Sequence, residues 1–160
     1  MGDPPKLGPE QQGFDLNVGG HHAGGPYTGN KYFSPYDNKW LADGPEGEYL
    51  TDRLSEEAVE FIDKNRDKPF FLYLTHYGVH TPLMAKSELK EYYKEKKEKE
   101  GPFEKPDHDN ATYAAMIHSV DEGVGEIRNK LDELGLDKNT VIVFFSDNGG
   151  EPPGEKSFIR

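Results

Sequence analysis

Two short apolar runs constrain the fold of this chain more than any other feature. Residues 70–75 (FFLYLT) and 140–145 (TVIVFF) are apolar on both faces. Such runs are typical of buried strands in a parallel sheet, whereas a half-exposed strand alternates apolar and polar residues. A helical pattern precedes each run, and parallel strands joined by helices form α/β folds. We therefore predict an α/β fold with a mostly parallel sheet and helices on both faces.

Apolar spacing predicts the first helix, and charge predicts the second. The first begins at Thr51 as N-cap and ends at Lys68-Pro69. Its predicted apolar face comprises Leu54, Ala58, Phe61 and Ile62. Residues 86–100 are so rich in Lys and Glu that a solvated helix is expected there.

The third predicted helix has the longest apolar stripe. It begins near Asp109 or Asn110, and Gly135 supplies its C-terminal stop. Residues of the stripe are three or four positions apart, as one face of a helix requires. They are Tyr113, Met116, Ile117, Val120, Val124, Ile127, Leu131 and Leu134.

The composition divides the chain into three segments. Residues 1–50 hold ten Gly and six Pro without a sustained apolar period, but aromatic residues are interleaved with them. We expect an irregular segment packed on the core. Residues 51–150 are expected to form an αβαβ part of a catalytic domain, and residues 151–160 a truncated tail.

The charge balance argues against several classes of protein. Nineteen Lys and Arg against 30 Asp and Glu give a formal net charge of −11, which does not suit binding to nucleic acid. No apolar run approaches the ~18 residues of a membrane span. The chain has no cysteine, so a thiolate ligand or nucleophile is excluded. Residues 1–12 lack the pattern of a signal peptide, and we assign no compartment.

Polar residues follow both predicted strands, where ligands bind in open α/β sheets. Asp147 and Asn148 offer oxygen ligands that suit Ca²⁺ or Mg²⁺. Two ligands are few for calcium, however, and Asp-Asn-Gly is also a common turn. His80 could protonate a leaving group or hold an anionic oxygen, or it could be an exposed or capping histidine. The adjacent His21 and His22 lack the spacing of a helical metal pair, so a structural role is favoured.

Three motifs in order resemble those of the formylglycine-dependent sulfatases, in the alkaline-phosphatase-like superfamily. They are Gly13-Phe14-Asp15, then residues 70–74 leading to His80-Thr81-Pro82, then residues 141–150 (VIVFFSDNGG). The resemblance runs from about residue 7 to 150 and implies an incomplete fold of that superfamily. It implies that Asp147 and Asn148 bind calcium or magnesium, and that His80 contacts the sulfate ester and assists departure of the alcohol. His76, His21 and His22 match no functional position.

One departure from that family decides what we expect of the isolated chain. The nucleophile motif Cys/Ser-x-Pro-Ser-Arg is absent, and the nearest string, Ser34-Pro35-Tyr36, does not fit. The resemblance therefore implies an inactive internal fragment that lacks N- and C-terminal parts of the same enzyme. The implied substrate is a small-molecule or glycan sulfate ester, and a full-length bacterial homologue would be periplasmic or secreted.

Two alternative functions remain open from the residues alone. Sulfate and phosphate esters present similar oxygens to these side chains, so a phosphodiester or phosphonate hydrolase of the same superfamily is the first. A non-catalytic metal-binding or interaction module with a borrowed fold is the second.

Overall fold

The computed structural model describes residues 2, 5–101, 109–147 and 149, and this part of the chain contains three α-helices. Helix α1 spans Leu50–Asn65, α2 spans Ser87–Glu100 and α3 spans Ala111–Glu133. Short 3-10 helices lie at Pro9–Gln12 and Asp137–Asn139. Helix α3 packs against both α1 and α2 and is the central one of the three. Within the described ranges, no helix is long and apolar enough to span a membrane.

Helix α1 begins earlier than predicted, and the prediction of Thr51 as its N-cap is wrong. Thr51 lies inside the helix with its side chain buried, and Tyr49 is the N-cap without a capping side-chain bond. The N–H of Leu50 donates to the carbonyl of Tyr32 at 2.8 Å. A contact with the preceding irregular segment therefore sets the start of the helix. Three of the four predicted face residues are buried: Leu54, Ala58 and Ile62.

Helix α2 is the solvated helix that the charge pattern predicts, because it buries no residue. It is attached to α3 by a side-chain contact. The hydroxyl of Tyr93 lies 3.2 Å from Nδ1 of His118, and the two rings meet edge to face.

The ends of helix α3 confirm the predicted start and stop. The side-chain oxygen of Asn110 accepts hydrogen bonds from the N–H groups of Thr112 and Tyr113 at 2.9 and 3.0 Å. These bonds satisfy two of the backbone donors that a helix start leaves unpaired. Gly135 ends the helix with a φ of +68°, a conformation that glycine adopts without steric cost.

The buried face of α3 differs from the predicted apolar stripe. Ile117, a member of the stripe, is 48% exposed. Small residues stand at the contact with α1, where helix backbones approach closely. The buried residues of α3 are Ala115, Met116, Ser119, Gly123 and Leu131.

The two apolar runs form neither helix nor paired strand, so the predicted parallel sheet is not confirmed. Residues 70–75 and 141–145 form no ladder with each other or with any other described segment. The only bridges among described residues are isolated ones, such as Phe33 with Tyr49. Phe71 is 73% exposed, and every residue from 141 to 145 is exposed. A strand needs a neighbouring strand to pair its backbone groups, and the described part of the chain offers none to these runs.

The Gly- and Pro-rich segment supplies much of the core. The main buried apolar cluster joins residues of this segment to the start of α1 and to one residue of α3. Its members are Tyr32, Tyr36, Leu41, Tyr49, Leu50, Leu54 and Met116. Residues 77–85 pack partly against the same cluster. The three-part division of the chain stays a prediction, and residues 151–160 lie outside the described residues.

Candidate functional site

The loop that follows the first apolar run carries His80, the predicted catalytic residue. The N–H of His80 donates to the carbonyl of Tyr77 at 2.8 Å and closes a tight turn. The His80 side chain is exposed. Its Nδ1 lies 2.9 Å from the carbonyl oxygen of Thr81. The ring is thus accessible from solvent while one of its nitrogens faces the backbone.

The buried side chain of Tyr32 supports the backbone of this loop. Its side chain is fully buried, and its hydroxyl lies 2.6 Å from the carbonyl of Tyr77 and 2.8 Å from that of His80. Burial raises the pKa of Tyr32 well above its ordinary value, with the nearby Tyr49 adding to the effect. The hydroxyl therefore stays protonated and remains a donor to these carbonyls at all physiological pH values.

Two further tyrosine hydroxyls tie the irregular segment to the same loop. Tyr49 donates to the carbonyl of Met84 at 2.8 Å, and burial raises the pKa of Tyr49 to about 12. Tyr77 donates in the opposite direction, to the carbonyl of Gly19 at 3.2 Å. The loop is thus fixed at several points, and rigid support of this kind keeps a functional side chain in one position.

Tyr27 approaches the His80 ring itself. Its hydroxyl lies 3.2 Å from Nδ1 and 3.5 Å from Nε2, and the rings meet edge to face with centroids 5.8 Å apart. The Tyr27 side chain is about half exposed, at 49%. A phenol and an imidazole therefore share one accessible surface.

His76 lies on the same loop but in a different environment. Its side chain is partly buried and both ring nitrogens are enclosed, and neither nitrogen has a hydrogen-bond partner among the described residues. Burial lowers the pKa of His76 to about 4. The imidazole is therefore neutral at physiological pH.

Asp147, the predicted metal ligand, follows the second apolar run and is exposed. Its neighbour Asn148 is outside the described residues. Within the described ranges, no three His, Asp or Glu side chains are arranged to hold a metal ion. The carboxylate of Asp147 has the chemistry that a hard cation prefers. The metal site therefore stays a prediction.

The histidine pair of the irregular segment is packed among aromatic rings. The ring of His21 lies 5.6 Å from that of Trp40 and 6.2 Å from that of Tyr77, and it meets the ring of His22 at 5.7 Å. The structural role that the sequence favours for this pair stays a prediction.

An acidic cleft lies elsewhere, between helices α1 and α3, and has a volume of about 400 Å³. Lys86 bridges the two helices there, with its Nζ 2.8 Å from Asp52 and 3.1 Å from Glu122. Burial acts to lower the pKa of Lys86, but its hydrogen bonds to Asp52 and Glu122 outweigh burial, so the pKa is raised. Burial and nearby carboxylates raise the pKa of Glu126. No predicted site residue lines this cleft, and we interpret Lys86 as a link between the helices.

The sequence predicts a role for His80 but does not indicate the tyrosines around it. Tyr27 and Tyr32 are separated from His80 by about fifty residues of sequence. The one available signal was their position in an aromatic-rich segment without a helical or strand period. That signal predicts burial, which Tyr32 confirms, but it does not indicate which loop the segment supports.

Comparison with protein families and known proteins gives consistent results. The sequence model of the family described as Sulfatase matches residues 4–158. The chain is 35% identical over 124 residues to a protein named Sulfatase from Formosa agariphila, covering 71% of this chain and 21% of that protein. It is 34% identical over 143 residues to the uncharacterized sulfatase YdeN of Escherichia coli, covering 88% of this chain and 23% of YdeN.

A solved structure is similar as well. The crystal structure of Ps i-CgsB in complex with k-i-k-neocarrahexaose is similar with a TM-score of 0.57 and 34% sequence identity. The likeness covers 85% of this chain and 32% of that one. The chain thus spans about a fifth of the length of the two curated relatives and about a third of the solved chain.

Proposed function

This chain belongs to the sulfatase family, and from that membership we propose that it contributes catalytic and metal-binding residues to a hydrolase of sulfate esters. The relatives carry sulfatase names, so the comparisons do not favour a phosphodiester or phosphonate hydrolase or a non-catalytic module. The substrate class is a small-molecule or glycan sulfate ester. Likeness to a protein solved with k-i-k-neocarrahexaose supports the glycan.

The observation that carries the proposed role of His80 is the environment of its two ring nitrogens. Nδ1 lies 2.9 Å from the carbonyl of Thr81, and a carbonyl oxygen can only accept. A proton on Nδ1 therefore satisfies this contact and leaves Nε2 for exchange of a proton with another group. We assign this proton to Nε2 of the imidazolium form of His80: the departing alcohol oxygen receives it when the S–O bond of the ester breaks, and His80 is left as the neutral Nδ1–H form.

Asp147 and Asn148 are the proposed ligands of Ca²⁺ or Mg²⁺. A carboxylate and an amide oxygen suit either ion, although calcium takes about 6–8 oxygen ligands and others must complete the site. When bound, the ion supplies positive charge close to the sulfate oxygens. This local charge would offset the repulsion between an anionic substrate and a chain with a net charge of −11.

The role of His80 is tested with leaving groups of different basicity. The gene product that contains this chain in full length is assayed with 4-nitrophenyl sulfate, whose leaving group needs little protonation, and with a sulfated oligosaccharide. We expect His80→Ala to lower kcat by about 10²- to 10⁴-fold on the oligosaccharide. The loss on the aryl ester should be much smaller. The isolated 160-residue chain, which lacks the nucleophile motif, should hydrolyse neither substrate.

The matched control is His118→Ala, which removes a histidine on α3 that contacts Tyr93. This variant should retain the wild-type ratio of activity on the two substrates. An equal loss on both substrates in His80→Ala would contradict the role as an acid and indicate that His80 only binds the sulfate group. Turnover of phosphodiesters in preference to sulfate esters would contradict the function as a whole.

A second prediction concerns the metal site. In the same full-length protein, Asp147→Ala should raise the concentration of calcium needed for half-maximal activity by at least about tenfold. A lost carboxylate ligand removes both a coordinating oxygen and a negative charge. Glu133→Ala, at the exposed end of α3, is the control and should leave the calcium dependence unchanged. If Asp147→Ala responds to calcium as the wild type does, Asp147 is not a ligand.

A further inference from the structure

Three oxygen atoms converge on a single nitrogen of His80. The carbonyl oxygen of Thr81 lies 2.9 Å from Nδ1, the hydroxyl of Tyr27 lies 3.2 Å away and the hydroxyl of Thr81 lies 3.4 Å away. Nε2 has one described contact, with the Tyr27 hydroxyl at 3.5 Å. The polar surroundings of the two nitrogens are thus unequal.

This inequality bears on which nitrogen carries the proton in neutral histidine. The carbonyl can only accept a hydrogen bond, and both hydroxyls are able to accept one. A proton on Nδ1 can be donated to the carbonyl at 2.9 Å, with the Tyr27 hydroxyl as a second, longer acceptor at 3.2 Å. A lone pair on Nδ1 would instead face the carbonyl oxygen with no proton between them. The arrangement favours the tautomer with hydrogen on Nδ1, although free histidine in water prefers hydrogen on Nε2.

Tyr27 is well placed to contribute to this preference. Its ring meets the imidazole edge to face, with an interplanar angle of 78°, so it limits rotation of His80 as well as accepting a hydrogen bond. The backbone of Tyr27 is itself held, because Nζ of Lys31 donates to its carbonyl at 2.5 Å. The imidazole thus has the Tyr27 ring on one side and a loop held by Tyr32 on the other.

We propose that Tyr27 is a positioning residue for His80: with the Thr81 carbonyl, its hydroxyl holds the ring as the Nδ1–H tautomer and so presents Nε2 to the substrate. Only the catalytic consequence of this arrangement depends on the proposed function. The arrangement of the ring is a property of the chain without substrate.

The test is the tautomer of His80 in the isolated 160-residue chain. Long-range ¹H–¹⁵N correlation spectra of the ¹⁵N-labelled protein in alkaline solution distinguish a protonated ring nitrogen from one with a lone pair. We expect His80 of the wild type to be predominantly in the Nδ1–H form. In Tyr27→Phe, the ratio of the Nδ1–H to the Nε2–H form should fall roughly 2- to 10-fold, the range expected for the loss of one hydrogen bond.

Tyr73→Phe is the matched control, because it removes a phenol hydroxyl from another half-exposed tyrosine that packs against Phe14 and Phe71. It should leave the His80 signals unchanged. A predominantly Nε2–H form in the wild type, or an unchanged ratio in Tyr27→Phe with an otherwise intact amide spectrum, overturns the proposal. The tautomer test needs no turnover. It can therefore fail while His80→Ala still shows the leaving-group effect, and it can succeed while His80→Ala shows no such effect.

Discussion

Lowering the pH from 6.5 to 4 should destabilise this protein by about 3 kcal/mol through His76 alone. The pKa of His76 is about 4 in the folded chain because burial disfavours the charged imidazolium, against an ordinary value of 6.5. Well above pH 6.5 the residue is neutral in both states. Between the two values the unfolded chain binds a proton that the folded chain does not, so stability falls as the pH falls.

The measurement is urea unfolding of the 160-residue chain at several pH values between 7 and 4, for the wild type and for His76→Phe. Phenylalanine has a similar size and does not titrate. The free energy of unfolding of the variant should therefore fall by about 3 kcal/mol less across this pH window than that of the wild type. An equal fall in the free energy of unfolding of the two proteins would contradict the prediction. Titration of the His76 ring by NMR supplies an independent reading of its folded-state pKa.

The second large effect concerns two glycines of helix α3 that differ only in their surroundings. A Cβ atom at Gly123 would overlap Oγ of Ser55 and lie 2.9 Å from its Cβ, whereas a Cβ at Gly125 would meet nothing within 4 Å. Gly123→Ala should therefore destabilise the fold by about 1–3 kcal/mol, because α1 and α3 must separate. Gly125→Ala should stabilise it by up to about 1 kcal/mol, the helix preference of alanine over glycine.

Both variants are compared with the wild type by chemical denaturation at pH 7. Adding Ser55→Gly to Gly123→Ala removes the obstructing side chain, so the two changes together should cost less than the sum of their separate costs. Additive costs, or a Gly123→Ala variant as stable as Gly125→Ala, would show that the helices do not meet closely at this point.

The helices were predictable from sequence because their signals are local. The cap of Asn110 and the stop at Gly135 depend on residues within one or two turns, and both are as expected. The prediction for Thr51 is wrong because a backbone contact from Tyr32 sets the start of α1. The exposure of Ile117 was missed for a related reason, since apolar spacing does not specify which side of a stripe meets a neighbouring helix.

The sheet and the candidate site depend on contacts between residues that are far apart in the sequence. Strand formation requires a partner for the runs at residues 70–75 and 141–145, and an apolar pattern identifies a candidate strand without identifying its neighbour. The position of His80 after the first run was predictable from the general placement of sites in α/β folds. Its support by Tyr27 and Tyr32 was not predictable. A hydrogen bond between residues some fifty positions apart produces no periodic pattern in the sequence.

Because the buried Tyr32 donates a hydrogen bond to the carbonyl of His80, the His80-Thr81-Pro82 motif would not keep its geometry if it were grafted alone into another protein. A motif whose geometry is determined by its own backbone can be grafted into another protein and keep its shape. This one depends on a hydroxyl from a segment some fifty residues upstream. Transplanting the tripeptide would transfer the histidine without its orientation, and the unit that must be moved intact includes residues 27–49 as well as the loop.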